Sequence, residues 1–134
     1  MADKVKVLLV DDEPIFLKYM AKVLAARGYE LATAQSGEAA LETVRNQPVD
    51  VVVLDQRMPV MDGLTTLEHI RKLKPLLPVI LLSGHAEVAT AVEAMSLGAV
   101  DYLLKPALVE KLCERIQTAL EKRAIIEELG GEGS

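Results

Sequence analysis

The sequence predicts an α/β fold, a doubly wound parallel sheet of five strands with helices on both faces. Five short apolar runs alternate along the chain with segments of helical periodicity. Three of these runs are nearly unbroken in Val, Ile and Leu, which is typical of parallel strands that are covered on both faces. A length of 134 residues is sufficient for one domain and leaves no room for two independent cores.

Strands and helices alternate throughout the chain. The predicted strands are Val5–Val10, Tyr29–Ala34, Val49–Leu54, Val79–Leu82 and Val100–Leu104. The predicted helices are Ile15–Arg27, Glu38–Arg45, Leu64–Leu73, Glu87–Leu97 and a last helix from near Ala107 to about Leu129. Such an alternation implies right-handed crossovers between parallel strands.

Capping residues support this division into helices. Gly28 and Gly98 directly follow the first and fourth predicted helices, where glycine is a common C-terminal capping residue. Ser36 precedes the second helix, where a hydroxyl can cap the first turn.

The order of the strands does not follow from periodicity. For five strands, the doubly wound order 2-1-3-4-5, which is the flavodoxin-like order, is one of the common solutions. Ligands of such sheets bind outside the carboxyl ends of the strands, close to the switch point between strands one and three. We therefore expect the functional residues directly after the strands.

The composition argues against several classes of function. Hydrophobic residues make up 51% and charged residues 26% of the chain, as in a globular protein. A net charge of −5 disfavours direct nucleic-acid binding, which needs a basic face. The apolar runs are far shorter than the ~20 residues that span a bilayer, and no signal-peptide pattern precedes the first strand. A single cysteine, Cys113, excludes an internal disulfide, so we expect a cytoplasmic protein without membrane contact.

Polar side chains do follow the predicted strands. Asp11 and Asp12 follow strand one, Asp55 follows strand three, Ser83 follows strand four and Lys105 follows strand five. Three carboxylates at one edge repel each other unless a cation is present, and Mg²⁺ suits a site with few carboxylates and several waters. A single Asp after a strand is usually a turn or capping residue, but that explanation is a poor one for all five residues together.

Four segments together resemble the receiver domains of bacterial two-component response regulators. They are Leu8–Pro14, Leu54–Gly63, Leu82–His85 and Lys105–Pro106, and the resemblance covers roughly residues 4 to 122. It implies a domain that accepts a phosphoryl group from a sensor histidine kinase in a magnesium-dependent reaction and then switches conformation to control an output domain or partner. It also implies that the domain catalyses only its own phosphorylation and dephosphorylation. The chain is similar to receivers attached to transcriptional activators.

The resemblance assigns a metal site to the first and third strands. Asp55 matches the phosphoacceptor, which also contacts the metal. Asp12 matches the acid that binds Mg²⁺ directly, and Asp11 the acid that acts through water. Arg57 lies where the family contributes a backbone carbonyl to the metal.

The resemblance also assigns a phosphoryl-binding and switching set. Ser83 matches the hydroxyl that contacts the phosphoryl group, Lys105 the lysine that pairs with it, and Tyr102 the aromatic residue that changes rotamer on activation. His85 and the Arg57 side chain match positions that flank the phosphoryl group and control the access of water. The Lys105-Pro106 bond is expected to be cis, as it usually is in this family.

Two other functions share parts of the pattern. Phosphatases of the haloacid-dehalogenase type also use an aspartyl phosphate and Mg²⁺, but they carry a D-x-D pattern after strand one, from which Asp11-Asp12-Glu13 departs. A flavin or nucleotide module needs a phosphate-binding loop rich in Gly, Ser or Thr at the same place, whereas this loop carries acids that repel phosphate.

The last helix is predicted to continue past the receiver. We expect a receiver domain over residues 1–122, and an extension of the last helix with a flexible tail or linker over 123–134. Ile125, Ile126 and Leu129 on this extension have nothing in the chain to cover them. This predicts a homodimer through the last helix, with a frayed, solvated end as the alternative. The output domain is expected to be missing from this chain.

Overall fold

The computed structural model of the chain describes residues 4–84, 87–105 and 109–130. Within these ranges, strands β1 to β5 span Lys6–Val10, Glu30–Ala34, Val51–Asp55, Val79–Ser83 and Asp101–Leu104. Helices α1 to α5 span Pro14–Ala26, Gly37–Asn46, Gly63–Leu73, Val88–Ser96 and Val109–Gly130. The predicted alternation of strands and helices is confirmed. His85 and Pro106, and with them the predicted cis bond, lie outside the described residues.

All neighbouring strands are parallel, and their order is β2-β1-β3-β4-β5. The doubly wound, flavodoxin-like prediction is therefore confirmed. In the register of the sheet, Val10 of β1 pairs with Ala34 of β2 and with Leu54 of β3. The residues that follow Val10 and Leu54 consequently emerge side by side at the carboxyl edge.

Two apolar layers cover the sheet. Residues alternate between its faces along each strand, so Val7 and Leu9 face one layer while Leu8 and Val10 face the other. Helices α1 and α5 cover the first face, and α2, α3 and α4 cover the second. Because both faces are buried, the central strand β3 has no exposed residue, which explains its apolar run Val51–Leu54.

The strand bounds differ from the predicted ones by up to two residues, and two of these differences concern the site. Strand β3 begins at Val51 rather than Val49, because Asp50 ends its pairing with β1. The amide of Asp50 donates to Lys6 O, and its carboxylate accepts from Lys6 N. At the other end, β3 includes Asp55 and β4 includes Ser83. These two side chains are thus held by the sheet itself rather than by the loops after it.

The predicted helix caps are present. The Ser36 hydroxyl accepts a hydrogen bond from Ala39 N at 3.1 Å, and Gly28 and Gly98 have φ of +96° and +101° after α1 and α4. Helix α3 has a cap that the sequence analysis did not identify, the Asp62 carboxylate, which accepts from Thr65 N at 2.9 Å.

Helix α5 has 22 residues and a length of roughly 33 Å. Its first half buries Leu112, Ile116 and Ala119 against the sheet, as predicted. Beyond them, Ile125 and Leu129 are 55% and 79% exposed. None of the helices in the described ranges is both long and apolar enough to span a bilayer.

Gly63, the first residue of α3, packs closely against the backbone of Asp55 and Gln56, so its substitution by Ala should be destabilising. A Cβ at this position would lie 2.6 Å from Asp55 O and 2.8 Å from Gln56 Cα, both backbone atoms. We expect Gly63→Ala to lower the free energy of unfolding in urea by about 1–3 kcal/mol, although Ala is the better helix former. Gly130→Ala is the matched control, since nothing lies within 4 Å of its Cβ. Equal stability of Gly63→Ala and the original chain would contradict this packing.

Candidate functional site

Three carboxylates meet at the carboxyl edge of β1 and β3. One carboxylate oxygen each of Asp11, Asp12 and Asp55 lies within 4.8 Å of the others. Asp11 and Asp55 are buried, with 1% and 5% exposure, whereas Asp12 is partly exposed. The pairing of Val10 with Leu54 causes this proximity, because Asp11 and Asp55 are the next residues on adjacent strands. Three hard oxygen donors at this spacing fit a divalent cation such as Mg²⁺.

Lys105 brings a positive charge to the same edge from the end of β5. Its ammonium nitrogen lies 2.6 Å from Asp11 Oδ2, 3.0 Å from Glu13 Oε1 and 3.6 Å from Asp55 Oδ1. It also lies 4.3 Å from the centroid of the Phe16 ring, which adds a cation–π contact. Lys105 N donates to Ser83 O at 2.7 Å, so the backbone of this residue is anchored to β4.

The loop after Asp55 is held by its own backbone and by Gln56. Gln56 N donates to Leu82 O, and Gly63 N donates to Gln56 O, each at 2.9 Å. The Gln56 side chain accepts from Leu64 N at the start of α3. At the tip of the loop Val60 has a φ of +70°, a strained value for a β-branched residue, and its side chain is 98% exposed.

An open cavity of about 520 Å³ lies over the acidic cluster. It is lined by Asp12, Glu13, Phe16, Asp55, Arg57, Gly84 and Lys105. The cavity therefore has carboxylates at its base, an ammonium group at one side and access from solvent. This arrangement can admit a small anionic group to the Asp55 carboxylate while cationic groups balance its charge.

The surroundings shift the pKa of both central groups. Burial raises the pKa of Asp55, and the negative charge of Asp11 raises it further. The Lys105 ammonium lowers this pKa, and the charge of Asp12 raises it. The resulting pKa of Asp55 is about 6. Burial lowers the pKa of Lys105, but hydrogen bonds to Asp11 and Glu13 and the charge of Asp55 outweigh it and raise the pKa. Near neutral pH, Asp55 is mostly ionised and Lys105 is charged.

The structure brings together the predicted residues Asp11, Asp12, Asp55 and Lys105. Ser83 is buried at the end of β4.

Neither Tyr102 nor the Arg57 side chain is among the groups that contact the carboxylate cluster directly in the described residues. Tyr102 packs against the apolar layer beneath α2, α3 and α4 and lines a separate depression with Glu87 and Leu104. The Arg57 side chain donates to Glu87 Oε1 at 3.1 Å at the rim of the cavity.

Sequence reasoning missed two residues that shape the site, Glu13 and Phe16. Glu13 was recognised only as part of an acidic run, and Phe16 is a partly buried residue that packs on the core and also faces the Lys105 ammonium. The available signal was that Glu13 lies in the loop after strand one and Phe16 in the first turn of α1, since this connection borders the switch point.

The fold and the carboxyl-edge cluster define a receiver domain, and the comparison with known families agrees. The model of the response regulator receiver domain family matches residues 7–117. The chain belongs to this family. Members of the family accept a phosphoryl group in two-component signal transduction, and this chain is a receiver domain of such a system.

Among proteins with curated descriptions, the chain is similar to larger regulators. The transcriptional regulatory protein ZraR of Escherichia coli (strain K12) is 42% identical over 118 residues, which are 88% of this chain and 27% of that protein. The regulatory protein AtoC of the same strain is 38% identical over 124 residues, which are 92% of this chain and 27% of that protein. The chain thus spans less than a third of the length of these relatives.

Solved structures of receivers superpose closely on the chain. A response regulator receiver domain protein from Clostridium thermocellum has a TM-score of 0.86 and 34% identity, covering 91% of this chain and 98% of that one. NtrX from Brucella abortus, solved in complex with ADP, has a TM-score of 0.89 and 33% identity, covering 96% of this chain and 30% of that one.

The raised pKa of Asp55 predicts a pH-dependent gain in stability for Asp55→Asn. In the folded protein the pKa is about 6, above its usual 3.8, so the ionised carboxylate destabilises the fold as pH rises through this window. In EDTA, we expect Asp55→Asn to be more stable than the original chain at pH 8 by about 1–3 kcal/mol. The difference should vanish below pH 4.

Urea unfolding between pH 3 and 8 measures this difference. Glu68→Gln, which removes an exposed carboxylate of α3 outside the site, is the control and should show no such dependence. A stability difference for Asp55→Asn that is independent of pH would be inconsistent with a raised pKa.

Proposed function

We propose that Asp55 is the phosphoacceptor of this receiver domain. The observation that carries the proposal is the placement of its buried carboxylate at the end of the central strand, 3.6 Å from the Lys105 ammonium and beside Asp11 and Asp12. A carboxylate oxygen attacks the phosphorus atom of a phosphohistidine, the O–P bond forms, and the P–N bond to the donor breaks. Asp55 thereby becomes an acyl phosphate.

The same carboxylates are proposed to hold Mg²⁺. Asp12, Asp55 and the backbone carbonyl of Arg57 would be its protein ligands, and Asp11 would contact it through water. The oxygen chemistry of the cluster and the mutual repulsion of its carboxylates support this assignment. When bound, the metal neutralises charge on the phosphoryl oxygens.

Lys105 and Ser83 complete the phosphoryl site. Lys105 pairs with one phosphoryl oxygen, and the Ser83 hydroxyl donates to another and draws the loop after β4 toward Asp55. Tyr102 then changes rotamer over the depression of about 220 Å³ that it lines beside α4. By the family resemblance, Arg57 and His85 are proposed to modulate the access of water to the phosphoryl group. The domain catalyses only its own phosphorylation and dephosphorylation.

The phosphoryl donor is proposed to be a sensor histidine kinase, and the domain acts in the cytoplasm with it. Ile15 and Tyr19 lie one turn apart on α1 and are 85% and 60% exposed, and Val60 is exposed on the loop after Asp55. These apolar side chains, at the start of α1 and on the acceptor loop, offer a docking area for the partner's helix. The switch is proposed to control an output domain or partner protein that is not part of the given chain, and no direct contact with nucleic acid is proposed.

A homodimer through α5 is the second proposal. Residues 1–122 form the receiver domain, and the extension from 123 onward carries Ile125, Ile126 and Leu129 on the exposed end of α5. Contact with a second copy would bury these side chains, at roughly 1.5–3 kcal/mol for each one fully covered. The Arg123–Glu127 ion pair flanks this apolar stripe.

Incubation with acetyl phosphate and Mg²⁺ should add one phosphoryl group, detected by intact mass. Asp55→Asn should abolish the addition, because the amide is not a nucleophile toward phosphorus. Asp50→Asn, at the opposite end of β3, is the matched control and should be labelled like the original chain. Full labelling of Asp55→Asn would refute the assignment.

Sedimentation should show a dimer for the full chain and a monomer for a chain truncated after Leu120. The truncation removes the exposed apolar residues but keeps Leu112, Ile116 and Ala119, which hold α5 on the sheet. Ile126→Glu should also give a monomer, with Glu128→Gln as the control. A monomer for the full chain, with and without beryllofluoride, would eliminate the dimer.

A further inference from the structure

The Lys105 ammonium is held mainly by groups other than Asp55. Its two hydrogen bonds go to Asp11 Oδ2 at 2.6 Å and to Glu13 Oε1 at 3.0 Å. The Phe16 ring lies 4.3 Å away, and Asp55 Oδ1 is at 3.6 Å, beyond hydrogen-bond distance. An ammonium group has three hydrogens, so two carboxylates and a ring face already accommodate it.

This arrangement opposes the role proposed for Lys105. To donate to a phosphoryl oxygen on Asp55, the ammonium has to give up at least part of its contact with Asp11 or Glu13. Asp11 belongs to the carboxylate cluster that fits a divalent cation, so its charge is balanced when that cation is present. Glu13 has no such second role, because it is not among the three clustered carboxylates.

Glu13 is also placed to act as an adjustable contact. Its side chain is 66% exposed and lines the cavity, whereas Asp11 is almost fully buried. Its backbone amide donates to Asp11 Oδ1 at 2.9 Å, which ties the start of the loop to the cluster. The ion pair is exposed on the Glu13 side only, since the Lys105 side chain is 14% exposed. An ion pair with one partner in solvent is weaker than a fully buried pair, so Lys105 can exchange Glu13 for another anionic group.

We propose that Glu13 is a positioning residue that holds Lys105 away from Asp55 in the unphosphorylated domain and competes with the phosphoryl group for the same ammonium. This inference rests on the proposed function of Asp55 and Lys105. It adds Glu13 as a residue that lowers the affinity of the site for a phosphoryl group. Removal of the Glu13 charge should therefore strengthen the binding of a phosphoryl-like group about two- to five-fold, the range expected for the loss of a partly exposed ion pair.

The first test observes Lys105 in the metal-free protein. In a chain with ¹³Cε-labelled lysine, the Lys105 signal is assigned by its loss in Lys105→Gln, and the Phe16 ring gives it a distinctive shift. In Glu13→Gln this signal should lie part of the way toward its position in the Mg²⁺–beryllofluoride complex. A Lys105 signal that Glu13→Gln leaves in place would overturn the inference.

The second test measures the dissociation constant of beryllofluoride at saturating Mg²⁺. Glu13→Gln should bind two- to five-fold more tightly than the original chain. Glu38→Gln is the matched control, since Glu38 is an exposed carboxylate that lines a depression next to Asp12. In a Lys105→Gln background the effect of Glu13→Gln should fall to that of Glu38→Gln, because its route through the ammonium is gone.

The outcomes separate this inference from the proposed function. Equal affinities of Glu13→Gln and Glu38→Gln, in an otherwise functional receiver, would overturn only the role of Glu13. A gain in beryllofluoride affinity from Glu13→Gln that persists in the Lys105→Gln background would also overturn the role of Glu13. The gain would then come from the loss of a negative charge near the site and not from Lys105. A chain that neither binds beryllofluoride nor accepts a phosphoryl group would overturn the proposed function and the inference together.

Discussion

Repulsion among the carboxylates at the ends of β1 and β3 is the constraint on which the site depends. The register of these strands places Asp11 and Asp55 side by side. Asp55 belongs to β3, and the amide of Asp11 donates to Ala34 O at the end of β2, so the backbone of both residues is held by the sheet. Burial adds to the repulsion, because little water reaches either side chain. A positive charge at this edge therefore stabilises the fold, because it reduces the repulsion among these carboxylates. Lys105 supplies part of that charge from the end of β5, and the cluster retains the oxygen donors that suit a divalent cation.

The charge balance at this edge of the sheet depends on whether a phosphoryl group is present. A phosphoryl group would add about −1.5 to −2 charge to a cluster that already carries an excess of negative charge, so the cationic groups have to redistribute when it arrives. Lys105 is anchored by its backbone to Ser83, and both residues stand at strand ends that lead into the loops beside α4 and α5. Tyr102 and Leu104 lie on the same strand and face the surface near α4. Strand β5 therefore connects Lys105 at the carboxylate cluster with Tyr102 and Leu104 at the surface near α4.

Much of the fold could be predicted because its signals are local. Apolar runs, helical periodicity and capping residues such as Ser36, Gly28 and Gly98 act within a few residues of themselves, and the structure contains them as predicted. The predicted bounds of β3 were less accurate. The strand begins after Asp50, which pairs with Lys6 on β1, and a contact between residues 44 positions apart cannot be read from the neighbouring sequence. The strand order was one choice among common topologies and became definite only with the structure.

The sequence by itself determined which chemical groups would stand at the carboxyl ends of the strands, and so the class of protein. Periodicity places the strands, and the strands place Asp11, Asp12, Asp55 and Lys105 at one edge. The resemblance of the four segments around these residues to receiver domains then indicates the family. Only the tertiary structure decided how the ammonium divides its contacts between these carboxylates and Glu13. The physical reason is distance along the chain: 92 residues separate Lys105 from Glu13, and their contact depends on how β5 and the start of α1 pack across the sheet. Periodicity and propensity describe neighbours in sequence, whereas the choice of partner for a buried charge depends on the geometry of the assembled edge.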